Sequence, residues 1–535
     1  MSDIRRFIAV SFASLLLASA LHAAVAADYP QQEFVVNLSP DLPDWRPHHA
    51  YNSFEAQLLS AVYEGLFVYD PYNMDPIPAL AESWTLSGNS LEWTFRIREG
   101  ARFSNGETIT AEHVRDSWLA LLSPAVAAPY ASLFDCIAGA TAYRTGENTD
   151  AKSVGIVARD PRTLTVNLST PAPHLPKILC HHAFSVIHPA ELALSAGSTP
   201  PAADFRPVAS GAFTIKSADS SEIVLEKNPG YWDAANVALP SIRVILSNDA
   251  ETLTARFNRG EIHWLGGSCD LRKVLGRSSA HITPMFATEY FFFRTTWGPW
   301  ADSRVRNALL LSIPWSELRE GNLIPAKTLV YPIAGYPEIA GLDTQNLDEA
   351  RKKLAEAGIS DASALPALVI SLPESEGYRE LARILETAWT GLGFTVQVKM
   401  TPGAQYYGSL RTDDYTLGVS SWIGDFADPL AFLELFRPLS SLNDSGWNNP
   451  GYEKLITDAS SRSAVKHRYG KLAEAEQLLL SEAVIIPVEH SPSVNVIEAD
   501  GFAGWYDNPL DIHPFKFIRF AQRKPLPGVA LVSGL

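Results

Sequence analysis

Residues Pro78 to Trp118 read PALAESWTLSGNSLEWTFRIREGARFSNGETITAEHVRDSW, and this stretch orders the rest of the chain around it. Between Trp84 and Ile97, aromatic and β-branched residues are interrupted by Ser87-Gly88-Asn89, the pattern of a hairpin with one buried face. Ser104-Asn105-Gly106 marks a turn. Thr110 then stands as a helix N-cap, with His113 where a capping box places Glu or Gln. Val114, Trp118 and Leu121 recur at helical spacing, which predicts a helix packed along one face. The segment therefore reads strand, turn, strand, turn, helix.

On either side of it, Glu33 to Leu38 is predicted as a strand and Ser53 to Leu66 as a helix. The apolar runs Ala367–Ser371 and Phe394–Val398 flank a helix over Tyr378–Leu392, a βαβ arrangement of the kind that builds a parallel sheet and places the chain in the α/β class. Ala350 to Gly358 reads as a short helix ended by glycine. The Pro- and Ala-rich stretch Ser198 to Ala203 is where the chain is expected to cross between domains.

At the N-terminus, Arg5 and Arg6 precede an apolar run from Phe7 to Leu21, followed by Ala24-Val25-Ala26, which predicts a secretory signal peptide over 1–26 cleaved near Ala26. The run is shorter than the roughly 20 residues that span a bilayer. Export is therefore expected, and the absence of a cysteine at the cleavage region gives no sign of a lipid anchor. A formal net charge of −16 argues against nucleic-acid binding. Cys136, Cys180 and Cys269 are compatible with one disulfide and a free thiol or with three buried small side chains, and their spacing fits no metal pattern. There is no G-x-S-x-G, H-E-x-x-H or P-loop, so no enzyme and no cofactor is expected.

The opening stretch also resembles a segment of the family 5 extracellular solute-binding proteins, which include the oligopeptide- and dipeptide-binding receptors of ABC importers. The likeness rests on Ala81, Ser83, Trp84, Trp93, Thr94, Phe95, Arg98, Phe103, Ser104, Gly106, Thr110 and Ala111. It continues at Gly211-Ala212-Phe213, at Asn228-Pro229-Gly230-Tyr231-Trp232, at Gly260-Glu261-Ile262 and at Asp302-Ser303-Arg304-Val305-Arg306. It covers nearly all of 33–520, leaving the tail Arg523 to Leu535 without a counterpart.

The resemblance implies a type II-like periplasmic-binding-protein fold: two α/β lobes joined by a hinge, with an extra domain in the first lobe. Mapped onto this chain, the discontinuous first lobe takes 27–63, 204–286 and 493–535, the extra domain 64–203 and the second lobe 287–492. The hinge strands fall near Ala287–Phe293 and Val488–Ser493. The implied function is a monomeric periplasmic receptor that binds a peptide between the lobes and delivers it to an inner-membrane permease and ATPase complex. A receptor for a nickel chelate, sugar or modified amine, or a sensor or chaperone-like module, is the alternative on the same fold.

The stretch Tyr415 to Pro429 carries the family motif in which the Asp after the Trp pairs with the ligand's α-ammonium; here that residue is Asp425. A carboxylate suits the task, because an ammonium enclosed between lobes must be paired when it loses its water. Asp428 is expected to cap the helix that follows. By the same resemblance, Ser420, Ser421 and Trp422 on one lobe and Tyr51, Asn52 and Ser53 on the other flank the ligand's backbone, and the hydroxyl of Tyr130 faces the cleft. Val419 replaces an Arg, and Tyr378 falls near a His, that in relatives serve the ligand's carboxylate. The pairs His48-His49 and His181-His182 are expected to bind no metal, since neighbouring side chains on a strand point to opposite faces.

Overall fold

The computed structural model describes residues 33–197, 204–426, 428–460 and 464–521. The signal-peptide reading of 1–26, the proposed crossing at Ser198 to Ala203 and the tail from Arg523 lie outside the described residues. No helix among the described residues is long and apolar enough to cross a membrane.

The opening stretch folds as its local signals require. Strands Ala81–Leu86 and Glu92–Ile97 pair antiparallel, with Trp84 opposite Phe95, and join Thr163–Asn167 and Ile156–Asp160 in a four-stranded sheet. The helix spans Ala111–Leu121. His113 Nδ1 accepts the Thr110 backbone N–H at 3.2 Å, so a histidine makes the reach-back bond that Glu or Gln makes in a capping box. Val114, Trp118 and Leu121 are buried on the inner face. The Trp118 indole N–H donates to the Phe184 carbonyl at 2.9 Å, which satisfies the one polar atom that burial would otherwise strand.

Two larger sheets form the frame. A seven-stranded sheet contains Glu33–Asn37 at its middle, parallel to Ser241–Ile245 and to Trp264–Leu265. A five-stranded sheet contains Leu368–Pro373, parallel to Val396–Thr401 and Leu417–Ile423, with Ala287–Phe293 and Ile485–Glu489 completing it antiparallel. The βαβ reading matches Leu368–Pro373, the helix Glu376–Thr390 and Val396–Thr401. The chain passes from the first sheet to the second between Ala280–Pro284 and Ala287–Phe293, and returns between Ile485–Glu489 and Pro492–Ile497. The two passes run side by side, since their strands pair with each other on both sides of the crossing.

The helix expected over Ser53–Leu66 ends at Val62. Tyr63 turns extended there, and the Glu64 carboxylate is gripped by the Tyr231 hydroxyl, the Trp232 indole N–H at 2.6 Å and Lys516 Nζ at 2.7 Å. Tertiary bonds at Glu64 thus override the helical periodicity. The buried apolar residues of the four-stranded region form one cluster with those of the five-stranded sheet, so that side of the molecule packs as a unit.

Candidate functional site

The N-terminal turn of the helix Ser53–Val62 is fixed by one carboxylate. Glu55 accepts the backbone N–H groups of Asp44 at 2.9 Å and of Tyr51 and Asn52 at 3.0 Å each, and this holds Tyr51-Asn52-Ser53 against the opposite sheet. On that sheet, Trp422 is anchored by its indole N–H to the Ala431 carbonyl at 2.9 Å. Gly424 follows because nothing larger fits: a Cβ there would stand 2.4 Å from the Phe286 ring. The Asp425 carbonyl receives the Tyr69 hydroxyl at 2.8 Å.

Between these elements lies a cavity of about 310 Å³. Of the residues expected from the sequence, Tyr51, Asn52, Ser53, Tyr130, Ser421, Trp422 and Asp425 line it together, joined by His181, His182 and Tyr407. Ser420 does not line it. Its cross-strand partner is Tyr290, both side chains leave the same face, and the Ser420 hydroxyl is bonded to that tyrosine. The Tyr51 ring lies 6.2 Å from Tyr130, 5.5 Å from Tyr407 and 6.3 Å from Trp422, so aromatic faces from both sides of the cavity meet around it.

Asp425 is 8 % exposed, and among the described residues its Oδ2 has no hydrogen-bond partner. Its Oδ1 is 3.6 Å from His181 Nε2. The Ala183 backbone N–H donates to His181 Nδ1 at 3.3 Å, so the imidazole carries its proton on Nε2, directed toward Asp425. Burial lowers the His181 pKa well below 6.5 and keeps the ring neutral. Burial also raises the Asp425 pKa well above its ordinary 3.8, because the neutral imidazole does not compensate a charge taken out of water. The arrangement is a desolvated carboxylate with one oxygen oriented by a neutral donor and the other oxygen free to accept from a cation.

The histidine pair was expected to splay as on a strand. Instead it opens a 3₁₀ turn at His182–Phe184, and the two rings lie 4.1 Å apart between centroids. Burial pushes His182 down to about 4 and His48 to about 3. Among the described residues no cluster of three or more His, Cys, Asp or Glu side chains could hold a metal ion. Cys136, Cys180 and Cys269 are free thiols. Asp428 receives the Leu430 N–H at 3.0 Å, in keeping with its capping role, and forms a two-point ion pair with Arg468 at 2.5 and 2.8 Å. A second cavity, of about 180 Å³, lies near Cys136 and His174, but its carboxylates Asp135 and Glu434 are already bonded to Arg144 and Arg437.

The sequence model of the bacterial extracellular solute-binding proteins, family 5 Middle, matches residues 75–443. The chain belongs to this family. Among curated relatives, this family 5 solute-binding protein is 27 % identical over 473 residues to the oligopeptide-binding protein OppA of Bacillus subtilis, covering 85 % of this chain and 86 % of that one. It is 28 % identical over 501 residues to the periplasmic murein peptide-binding protein MppA of Escherichia coli, covering 88 % and 91 %. A solved structure of the Escherichia coli murein tripeptide binding protein matches with a TM-score of 0.81 at 26 % identity, covering 92 % of this chain and 99 % of that one. The unliganded open form of MppA matches at only 0.63 with the same identity. The lobes of this family 5 protein therefore stand in an arrangement unlike that open form. The fold is the type II periplasmic-binding-protein architecture with two lobes.

His181, His182 and Tyr407 in the cavity lining, and Tyr69 at the Asp425 carbonyl, are the site residues that sequence reasoning missed. The adjacent histidines were the only signal available for His181.

Proposed function

We propose that this protein is an exported, periplasmic, monomeric receptor that encloses a peptide between its lobes and hands it to an inner-membrane ABC permease and ATPase complex. Asp425 carries the reading. A buried carboxylate oxygen without a partner among the described residues, at the wall of a cavity between the strand Leu417–Ile423 and the start of the helix Ser53–Val62, is the group that a peptide's α-ammonium needs when it leaves water. Family 5 members are binding receptors, and the relatives named above are peptide-binding by name.

In this reading the first lobe comprises 27–63, 204–286 and 493–535, the extra domain 64–203 and the second lobe 287–492, with the side-by-side passes at 284–287 and 489–492 as the hinge. Ser421, Trp422 and Tyr51 to Ser53 flank the ligand's backbone, and Ser420 contributes through its main chain alone. Trp422, Tyr51 and Tyr130 supply apolar cover that excludes water from the Asp425 contact. Small-angle scattering tests the enclosure: a mixture of tri- to hexapeptides is expected to compact the ligand-free protein. An unchanged radius of gyration across such mixtures would favour a non-peptide ligand, the second reading, which is supported by the lack of a cation at Val419 and Tyr378.

A further inference from the structure

Beyond Gly418, the strand Leu417–Ile423 is paired on one side only. Leu368–Pro373 meets it at Leu417 and Gly418 and no further, whereas Ala287–Phe293 runs along its whole length on the other side. In the peptide reading the ligand's backbone lies along that open edge, next to Ser421. Ser421 is exposed and lines the cavity, and its direct cross-strand partner is Glu289. The two side chains therefore leave the same face of the sheet, with Glu289 one strand behind the cavity wall. Glu489, on the strand Ile485–Glu489, is the partner of Glu289 on its other side and extends the row.

Like charges directly opposite each other on neighbouring strands destabilise a sheet. Glu489 Oε1 accepts the Leu323 backbone N–H at 3.0 Å, and Glu289 Oε2 accepts the Tyr378 hydroxyl at 2.7 Å, but neither carboxyl group forms an ion pair with a Lys, Arg or His side chain among the described residues. Tyr378 is itself fixed in the first turn of the helix Glu376–Thr390, where its backbone N–H donates to the Ser375 hydroxyl at 3.1 Å. Only one oxygen of Glu289 is used in this way, and the residue is half-buried rather than sealed. Burial raises the Glu289 pKa above its ordinary 4.5; the Tyr378 bond opposes this shift and the Glu489 charge adds to it. A cation reaching this row from the cavity would offset both the burial and the repulsion.

We propose that Glu289, held by Tyr378, is the specificity-determining residue for a cationic ligand side chain, so that the receptor favours peptides with a lysine- or arginine-like residue alongside Ser421. Neighbouring strands stand about 4.8 Å apart, so a ligand backbone on the open edge lies roughly 10 Å from that of Glu289. A long cationic side chain bridges this distance together with the glutamate side chain, and the small Ser421 leaves the path between them clear. A short one does not reach. Once met, the pair is a charge-assisted hydrogen bond, stronger than one between neutral groups. The proposal rests on the peptide reading of the same cavity and adds to it a cation site separate from Asp425.

The test uses the full mature chain and pentapeptide libraries with free N-termini, in which one position at a time from the second onward is fixed as lysine, its neutral isostere norleucine or the short diaminopropionate, the other positions being randomised over neutral residues. Bound members are counted by native mass spectrometry, and melting is followed by circular dichroism. The wild type is expected to prefer lysine over norleucine by about tenfold or more at one position, and to bind diaminopropionate there no better than norleucine. Glu289→Gln should bring the lysine preference to within about twofold while still binding the norleucine peptides, and Asp348→Asn on the exposed helix Leu347–Glu356 should leave it intact. A role confined to structure would lower lysine and norleucine binding equally in Glu289→Gln, which overturns the proposal. So does a wild type that binds library peptides with no lysine preference, one that binds diaminopropionate as well as lysine, or an undiminished preference in Glu289→Gln; each leaves the peptide reading in place. The wild-type comparisons decide the matter even if the variant fails to fold. If no library member binds at all, the peptide reading falls and the proposal falls with it.

Discussion

Replacing Asp425 by Asn separates the two things that this residue does. In the ligand-free protein the carboxylate is a liability: it is 8 % exposed, one oxygen lacks a partner, and the other faces only a neutral imidazole at 3.6 Å. Asn keeps the shape and removes the charge. In the proposed complex the same carboxylate would be the ammonium's partner, and truncating one member of a desolvated pair costs about 2–5 kcal/mol, or roughly 30- to 5,000-fold in affinity. Near-complete burial and the absence of a second carboxylate from the cavity wall among the described residues place the expected loss at about a hundredfold or more on that scale. Isothermal titration with a peptide bound by the wild type measures it. The variant should also melt no lower than the wild type, because it loses a carboxyl whose ionised form burial penalises. Unchanged affinity in Asp425→Asn would refute the ammonium assignment, and a large drop in melting temperature would refute the claim that the carboxyl lacks a stabilising partner in the empty cavity.

Other outcomes follow from the same geometry. The raised pKa of Asp425 means that the empty folded protein holds a proton that the unfolded chain gives up near 3.8, so this group favours folding most below that pH and the contribution declines as pH rises toward the folded-state value. Ammonium binding must expel that proton, so affinity should rise by up to about tenfold per pH unit while the empty-state carboxyl stays protonated, and calorimetry in buffers of different ionisation enthalpy should register proton release. Asp425→Asn should abolish both effects. Gly424→Ala drives a methyl into the Phe286 ring, itself wedged edge-on against Phe432 at 4.8 Å, and should cost about 1–3 kcal/mol in urea unfolding while displacing Asp425 and weakening binding. Trp118→Ala empties the centre of the packed helix face and should cost about 3–5 kcal/mol by the same measurement.

The frame was legible where signals are local. The hairpin, the Thr110 cap and the Trp118 face are written in residues within one segment, and even the unusual His113 capping bond lies three residues from its partner. Several family motifs prove to be structural for visible reasons: Gly211 admits no Cβ because the Val62 backbone is 2.7 Å away, and Tyr231 and Trp232 grip Glu64. The helix that starts at Ser53 ran past its true end in the sequence reading, since no local pattern reveals that Glu64 is held by residues distant in the chain. The cavity was legible only through the motif. Asp425 and Trp422 could be placed because they sit beside each other in sequence. His181 could not, because its contact with Asp425 depends on a short 3₁₀ turn that periodicity does not announce. The side chain of Ser420 faces away from the cavity because of its register with Tyr290, which the motif does not state.

The central claim is that this cavity holds a peptide by its free α-ammonium. Native mass spectrometry of the protein isolated from its host without denaturation, followed by sequencing of what it carries, tests this most directly. The account expects short peptides with unblocked N-termini, released when Asp425 is replaced by Asn. Carriage of a non-peptide molecule, or of peptides whose N-termini are acylated, would contradict it.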